Sequence, residues 1–226
     1  MHVAAVTFDL WETLMHDSRE KAGRRGQMRI ERMHAALART GSRIGRDAVE
    51  LAYQEIWRWL ETDYWQRHVD PGFEVQIEWF CHRLDITSVE VAGELRAGYV
   101  EPIFALPPEP DPEALPLLLE LRQRGLRLGL ICNTSITPGF ALRRLLSRWG
   151  LGQLLAAQIY SDELGIRKPS AAIFREAARL LQVDIRQMLH VGDRADMDVE
   201  GAQAAGAQAL QVGPDLALSQ LRSRLL

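Results

Sequence analysis

The sequence predicts an α/β fold in which an all-helical domain is inserted into a core built on a parallel sheet. Two patterns support this prediction. Short apolar segments alternate with amphipathic helical stripes in the second half of the chain, whereas residues 18 to 101 have helical periodicity and no convincing strand. With 226 residues, 47% of them hydrophobic and 25% charged, the chain is long enough to bury the core that such a fold needs.

The strands are expected where short apolar segments occur. Five are predicted, at Val3–Phe8, Leu126–Cys132, Gln158–Tyr160, Met188–Val191 and Ala207–Val212. Apolar residues at helical spacing predict amphipathic helices that begin near Leu142 and Phe174. Two more helices, Leu115–Arg124 and Val199–Ala205, are each followed by a glycine, which is typical of a helix end. Because strands and helices alternate, the sheet should be parallel.

The helical insert is predicted from apolar stripes, which comprise Ile30, Met33 and Leu37; Val49, Ala52, Ile56 and Leu60; and Ile77, Phe80 and Leu84. Thr87 and Glu90 have the spacing of a capping box and predict the start of a fourth helix. The proline-rich segment Pro102–Pro112 then leads back to the α/β pattern. We therefore expect a helical domain at residues 16–104 and a core formed by residues 1–15 and 105–226.

Bulk composition narrows the class of function. A net charge of −3 without a basic stripe argues against nucleic-acid binding and favours a small-molecule substrate. No apolar run approaches the ~20 residues of a membrane span. The first residues lack the basic flank and cleavage site of a signal peptide, so the expected location is the cytoplasm. Two distant cysteines predict neither a disulfide framework nor a metal-binding motif, and a monomer and a homodimer both remain open.

Lysine usage singles out one residue. Among 27 basic residues only Lys21 and Lys168 are lysines, so this sequence strongly prefers arginine. A compact ammonium is the better choice where one point charge must reach a small oxyanion. Lys21 lies in a charged run and is expected at the surface, whereas Lys168 is a candidate for a functional role.

Further candidates stand at the carboxyl ends of the predicted strands, where ligands bind in parallel sheets. They are Asp9 after the first strand, Cys132, Asn133 and Thr134 at the end of the second, and Asp193, Asp196 and Asp198 after the fourth. Lys168 and Pro169 precede the helix that follows the third strand. Folding should therefore bring several acids and one lysine to one edge of the sheet.

This ordered set resembles the haloacid dehalogenase-like hydrolase superfamily. The matching motifs are D-x-x-x-T-L from Asp9, a second strand that ends in a small polar residue, the Lys168–Pro169 pair, and G-D-x-x-x-x-D from Gly192 to Asp198. The resemblance implies a Rossmann-like core, and the position of the helical insert matches that of the family's cap domain.

The resemblance also implies roles for individual residues. Asp9 would be a nucleophile that forms a covalent aspartyl intermediate, Thr13 would orient it, and Lys168 would compensate its negative charge. Mg²⁺ would be held by Asp9, the Trp11 backbone carbonyl and Asp193, with Asp198 as a ligand or support. Asp196 lies off the family positions, so a solvated or capping role is expected. These assignments predict a Mg²⁺-dependent phosphatase of a small metabolite.

Two positions depart from the family pattern. Most phosphatases of the superfamily have a second Asp two residues after the nucleophile, which protonates the leaving oxygen, and here that residue is Trp11. Cys132 replaces the usual Ser or Thr at the second strand end, with Asn133 and Thr134 as possible substitutes in phosphate binding. Substrate contacts are therefore expected from Trp11, Cys132, Asn133 and Thr134.

These departures leave alternatives open. An aromatic residue at position 11 is similar to the metal-independent 2-haloacid dehalogenases, although the intact pair Asp193 and Asp198 favours a metal and phosphoryl transfer. A protein that kept the fold but lost turnover, and serves as a binding module, is a second alternative. Phosphonoacetaldehyde hydrolases use a cap lysine, and Lys21 lies too early in the cap to match well.

Side chains of the insert should select the substrate. Most of its aromatic residues, Tyr53 and Tyr64 among them, are expected in the helical core. The arginines Arg24, Arg25, Arg29 and Arg32 are expected on a solvated face, with the alternative that one of them reaches a substrate carboxylate or phosphate. His16 is expected to be exposed or hydrogen-bonded, with proton transfer as the alternative.

Overall fold

The computed structural model describes residues 3–213 and 216–221. Its strands are β1 (Ala5–Phe8), β2 (Met15–His16), β3 (Glu109–Pro110), β4 (Arg127–Cys132), β5 (Ala157–Tyr160), β6 (Met188–Gly192) and β7 (Gln208–Gln211). Its helices are α1 (Arg19–Arg39), α2 (Arg46–Asp63), α3 (Phe73–Arg83), α4 (Val89–Val100), α5 (Pro102–Ala105), α6 (Ala114–Gln123), α7 (Gly139–Arg148), α8 (Ser161–Leu164), α9 (Ala171–Leu180) and α10 (Glu200–Ala205). Short 3₁₀ turns and one π turn, Ala195–Val199, connect them.

Five strands form a parallel sheet in the order β5-β4-β1-β6-β7, which confirms the predicted fold class. β1 is central and pairs with β4 on one side and with β6 on the other. Along the chain, β4 and β5 extend the sheet on one side of β1, and β6 and β7 then extend it on the other side. A crevice therefore opens at the carboxyl end of β1, where ligands bind in sheets of this kind.

Apolar side chains cover both faces of the sheet. One face packs against α6 and α7 through a leucine-rich cluster, and the other packs against α9 and α10 through Ile131, Ile173 and Phe174. Pro116 lies in the first turn of α6, where a missing backbone N–H is tolerated. With both faces buried, the ends of the strands are left to carry the polar chemistry.

The helices α1 to α4 pack around a separate apolar cluster that contains the predicted stripe residues. Helices α1 and α4 approach closely at Gly98, where an added Cβ would lie 3.1 Å from the backbone of Arg32 and Met33. The predicted capping box at Thr87 is wrong by one residue. Helix α4 begins later, and it is the Ser88 hydroxyl that accepts a hydrogen bond from Val91 N.

Both chain crossings between the sheet core and the helical insert, as we call α1 to α5, run through one antiparallel ribbon. Met15 pairs with Pro110 and His16 pairs with Glu109. The segment Pro102–Pro112 is thus more ordered than a linker, since it contains α5 and β3. Within the described residues, no helix is long and apolar enough to cross a membrane.

Candidate active site

Asp9 lies at the carboxyl end of the central strand. Its backbone N–H donates to the carbonyl of Val191 on β6 at 2.8 Å, which continues the parallel pairing and fixes the residue at the mouth of the crevice. The residue is 7% exposed. Burial raises the pKa of Asp9, and the ammonium of Lys168 opposes this shift.

Lys168 connects two acids. Its Nζ lies 2.5 Å from Asp9 Oδ1 and 2.6 Å from Asp198 Oδ1, and the residue is almost fully buried. Burial alone would lower the pKa of Lys168, but the two carboxylates outweigh it and raise the pKa. The side chain therefore remains a cation at the position where Asp9 needs charge compensation.

Asn133 positions the backbone of Lys168. The N–H of Lys168 donates to Asn133 Oδ1 at 2.8 Å, and Asn133 Nδ2 donates back to the Lys168 carbonyl at 3.0 Å. The oxygen and the nitrogen of the Asn133 side-chain amide thus both bond to the backbone of Lys168. The side chain of Asn133 therefore holds the loop that carries the lysine, and its expected contact with substrate stays a prediction.

Asp198 is bonded to a buried series of polar side chains, namely His190 and then Thr7. His190 Nε2 lies 3.1 Å from Asp198 Oδ1, and Thr7 Oγ1 lies 2.9 Å from His190 Nδ1. Burial lowers the pKa of His190 although its contact with Asp198 opposes this, so the neutral ring donates from Nε2 and accepts from Thr7 at Nδ1. The Arg194 N–H donates to the second Asp198 oxygen at 3.0 Å.

This approach of Asp198 to β6 requires Gly192. A Cβ at residue 192 would lie 2.3 Å from Asp198 Cγ, which is closer than any real contact. The chain Thr7–His190–Asp198 was missed by sequence reasoning. The available signal was that Thr7 and His190 are polar residues inside predicted apolar strands.

Asp9, Asp193 and Asp198, which we call the acidic cluster, bring carboxylate oxygens within 4.8 Å of one another. Asp193 is half-buried, and burial together with Asp198 raises its pKa. Three carboxylates face one ammonium, and hard oxygen donors in this number suit a divalent cation such as Mg²⁺. Asp196 lies outside the cluster, exposed and paired with Arg194 at 2.7 Å, as expected.

Two predicted substrate contacts are fully buried. Cys132 has no exposed surface, and burial raises the pKa of its thiol well above the usual range. Thr134 is also fully buried, and its hydroxyl is engaged by Ser161 at 3.0 Å. Both placements argue against substrate binding by these side chains, because neither has a free surface for a ligand.

Trp11 and Thr13 follow Asp9 closely in the chain. Thr13 is buried beside a cavity of about 650 Å³ that Asp193 also lines, and its hydroxyl has no hydrogen-bond partner among the described residues. Its role in orienting Asp9 stays a prediction. Trp11 is half-buried against Ala141 and Leu145 of α7, so position 11 presents an apolar surface to the site instead of a carboxylate.

Asp70 ties the helical insert to the loop that carries Lys168. Its side chain is fully buried, and Oδ2 accepts from Ser161 Oγ at 2.7 Å and from Arg167 Nη1 at 3.0 Å. Arg167 Nη1 also donates to the Thr134 carbonyl at 2.6 Å, and its guanidinium lies 4.3 Å from the centre of the Trp65 ring. No local sequence pattern marks this network.

Lys21 and His16 each contact an acidic side chain outside the acidic cluster, and His16 also lines the cavity beside Asp193. Lys21 pairs with Glu109 on the ribbon. His16 is exposed and contacts Asp111 Oδ2 at 2.7 Å, in agreement with the expectation that it is exposed or hydrogen-bonded. Among the insert arginines, Arg24 is exposed, but the expectation of a solvated face is wrong for Arg25 and Arg29, which are both buried.

Comparison with known proteins extends the picture. The model of the haloacid dehalogenase-like hydrolases matches residues 3–206. A phosphoserine phosphatase of Thermus thermophilus is 31% identical over 183 residues, 72% of each chain. A glyceraldehyde 3-phosphate phosphatase of Methanopyrus kandleri is 36% identical over 106 residues, 46% of this chain and only 43% of that protein. The structure of a 2-haloacid dehalogenase from Pseudomonas syringae pv. Tomato DC3000 is similar with a TM-score of 0.70 and 25% identity, over 99% of this chain and 98% of the other.

Proposed function

Because the chain belongs to the haloacid dehalogenase-like hydrolases, we propose that it is a phosphatase of a small phosphate monoester, with Asp9 as its nucleophile. The observation that carries the proposal is the acidic cluster around Lys168, in which three carboxylates face one ammonium. Such an arrangement favours a bound cation and an incoming phosphoryl group, and it would be costly for a site that works without a metal.

In the proposed first step, an Asp9 oxygen attacks phosphorus, the bond from phosphorus to the ester oxygen breaks, and an aspartyl phosphate forms while the alcohol leaves with a proton taken from solvent water. Burial raises the pKa of Asp9, and Lys168 opposes this shift, which favours the ionised form before the attack; the same ammonium offsets the charge that develops on the phosphoryl oxygens. Water then attacks the intermediate and releases inorganic phosphate and free Asp9. A magnesium ion held by Asp9, Asp193, Asp198 and the Trp11 backbone carbonyl would neutralise further negative charge on the substrate.

Trp11 shapes the expected substrate range. An indole cannot protonate the leaving oxygen, and loss of a general acid typically lowers rates by ~10²–10⁴. The penalty is smallest when the leaving oxygen is a weak base, as in p-nitrophenyl phosphate. We therefore expect this activated ester to be hydrolysed faster than an alkyl phosphate by a wide margin.

A second candidate function is metal-independent hydrolysis of 2-haloacids. It is favoured by the aromatic residue at position 11 and by the similarity to the Pseudomonas syringae enzyme. The reaction would use the same Asp9 to displace halide from carbon and form an ester. The acidic cluster argues against it, since Asp193 and Asp198 would then face Asp9 with only Lys168 to compensate them.

The test is a panel of p-nitrophenyl phosphate, L-phosphoserine, glyceraldehyde 3-phosphate and 2-chloropropionate, each assayed with Mg²⁺ and with EDTA. The proposal expects phosphate release that EDTA abolishes, with complete loss in Asp9→Asn and strong loss in Asp193→Asn. Asp196→Asn is the matched control, because it removes an exposed acid from the same loop. Halide release in EDTA would support the second candidate, and no turnover of any compound would favour a binding protein.

A further inference from the structure

A cavity lies between the helical insert and the core. Its volume is about 230 Å³, and it is lined from the insert by α1 and α2, by Asp17 just before α1, and from the core by Trp11, Asn133 and the loop after β4. Trp11 is two residues from Asp9, and Asn133 is bonded to Lys168. The cavity, which we call the interface cavity, therefore adjoins the two loops that carry the nucleophile and its lysine.

Arg29 on α1 is the unusual residue of this cavity. It is only 3% exposed, and its guanidinium is held by two neutral acceptors: Nε donates to the Tyr99 carbonyl at 2.9 Å and Nη2 donates to Thr137 Oγ1 at 3.0 Å. Within the described part of the chain, Nη1 has no acceptor and no carboxylate lies within ion-pair distance of the group. A buried cation without a counter-charge is costly for the folded protein.

The neighbouring arginine shows the contrast. Arg25, one turn earlier on α1, is equally buried, but it pairs with Asp17 and donates from Nη1 to the Leu106 carbonyl at 3.0 Å. The charges of Arg25 and Asp17 therefore offset each other, and Asp17 Oδ1, which has no hydrogen-bond partner among the described residues, belongs to a residue that also lines the interface cavity. Arg29, by contrast, has no carboxylate partner among the described residues: its guanidinium lies 5.7 Å from the centre of the Tyr99 ring at the wall of the interface cavity, and its position is fixed by the insert and the core.

We infer that Arg29 binds a carboxylate on the non-reacting end of the substrate, so that the substrate is a phosphate monoester of a small hydroxy acid or amino acid. The inference rests on the proposed function of Asp9. A carboxylate suits the site because it supplies the missing counter-charge and accepts charge-assisted hydrogen bonds from the free Nη1. The small volume of the interface cavity fits such a group with a short carbon chain.

This inference separates the substrates that the names of the two phosphatase relatives suggest. Phosphoserine carries a carboxylate next to its amino group, whereas glyceraldehyde 3-phosphate ends in an aldehyde. Arg29 would pair with the carboxylate of phosphoserine, whereas glyceraldehyde 3-phosphate offers Arg29 no counter-charge at that end. A preference for the carboxylated ester is therefore expected of this chain.

The test compares L-phosphoserine with phosphoethanolamine, which differs only by loss of the carboxylate. In the wild-type chain, kcat/KM should be higher for phosphoserine. In Arg29→Gln, kcat/KM for phosphoserine should fall about 10- to 100-fold, the range for one lost hydrogen bond to a charged group, while that for phosphoethanolamine stays within about 2-fold. Arg24→Gln removes an exposed charge from the same helix and should change neither value.

Arg29 also joins the insert to the core, so the readout must exclude a structural effect. A purely structural role would lower kcat/KM for both compounds by the same factor, and that result would overturn the inference, as would equal activity of the wild type on both. Arg29→Lys, which retains the charge, should recover part of the preference. If neither compound is hydrolysed, the proposed function fails, and calorimetric titration with the same two compounds then tests the role of Arg29. Binding of phosphoserine that is weaker in Arg29→Gln than in the wild type supports the inference. Equal binding of phosphoserine by the two proteins refutes it.

Discussion

The Asp70 network offers the sharpest test of how the helical insert is held against the core. Asp70→Ala removes the only carboxylate that pairs with Arg167 among the described residues and leaves a guanidinium whose side chain is 13% exposed. Breaking a buried ion pair from one side costs about 3–5 kcal/mol. The lower end applies here, because Arg167 keeps its hydrogen bond to the Thr134 carbonyl and its contact with Trp65.

We therefore expect Asp70→Ala to lower the free energy of unfolding by about 3 kcal/mol. For a chain of this size that corresponds to a fall in Tm of about 6–12 °C, measured by scanning calorimetry. Asp70→Asn keeps the shape and an acceptor oxygen and should cost about half as much. Glu94→Ala, which removes an exposed acid paired with Arg39, is the control and should leave Tm nearly unchanged.

The reasoning is refuted if Asp70→Ala stays within about 1 kcal/mol of the wild type, since that is the range of an exposed ion pair. It is also refuted if Asp70→Asn is as damaging as Asp70→Ala, because the loss would then not depend on the hydrogen-bond geometry. In Asp70→Ala the buried Ser161 hydroxyl also loses the acceptor that Asp70→Asn can retain, although its contact with Thr134 Oγ1 at 3.0 Å remains, so this hydrogen bond is part of the expected difference between the two variants.

Three further outcomes are expected. Trp11→Asp should raise kcat for alkyl phosphates more than for p-nitrophenyl phosphate, by at least about 10-fold, because a carboxylic acid restores protonation of the leaving oxygen; equal gains for both esters would contradict that role. Gly192→Ala should displace Asp198 and cost about 1–3 kcal/mol by crowding, with a matching loss of activity, whereas Gly23→Ala, where the structure leaves open space, should do neither. Burial works against the charged form of His16, but its contacts with Asp111 and Glu12 raise the pKa of His16. The contact of charged His16 with Asp111 therefore stabilises the fold below the unfolded pKa, and this stabilisation is lost as pH rises through the folded pKa. Asp111→Asn should thus lower Tm at about pH 5.5 and have little effect at about pH 8.5.

The sheet could be predicted closely because its signal is local. Five apolar segments with turn residues between them mark all five parallel strands within one or two residues of their observed bounds, as at Arg127–Cys132. Asp9, Lys168 and Asp198 were predictable for the same reason: each directly follows a strand or precedes a helix, and parallel strands end at one edge of the sheet. Their contacts of 2.5 and 2.6 Å agree with that expectation.

The residues that support the site could not be predicted, since they depend on contacts between distant parts of the chain. His190 lies inside a strand, and only the register of β1 with β6 brings Thr7 beside it. Asp70 sits in a segment without periodicity, and nothing local distinguishes a buried aspartate there from a solvated one. Thr134 was assigned to substrate because it follows a strand, whereas folding places its hydroxyl in the network of Asp70.

The ribbon of β2 and β3 has a mechanical consequence. Both crossings of the chain pass side by side at Met15–His16 and Glu109–Pro110. Together they form one hinge between the insert and the core, and the ribbon alone would allow the insert to rotate about it. Asp70 fastens the insert at a second place, on the loop that carries Lys168. Arg29 adds a further contact, with Thr137, so the insert cannot rotate about the ribbon while these contacts last, and the Asp70 contact couples its position to that of the loop that carries Lys168.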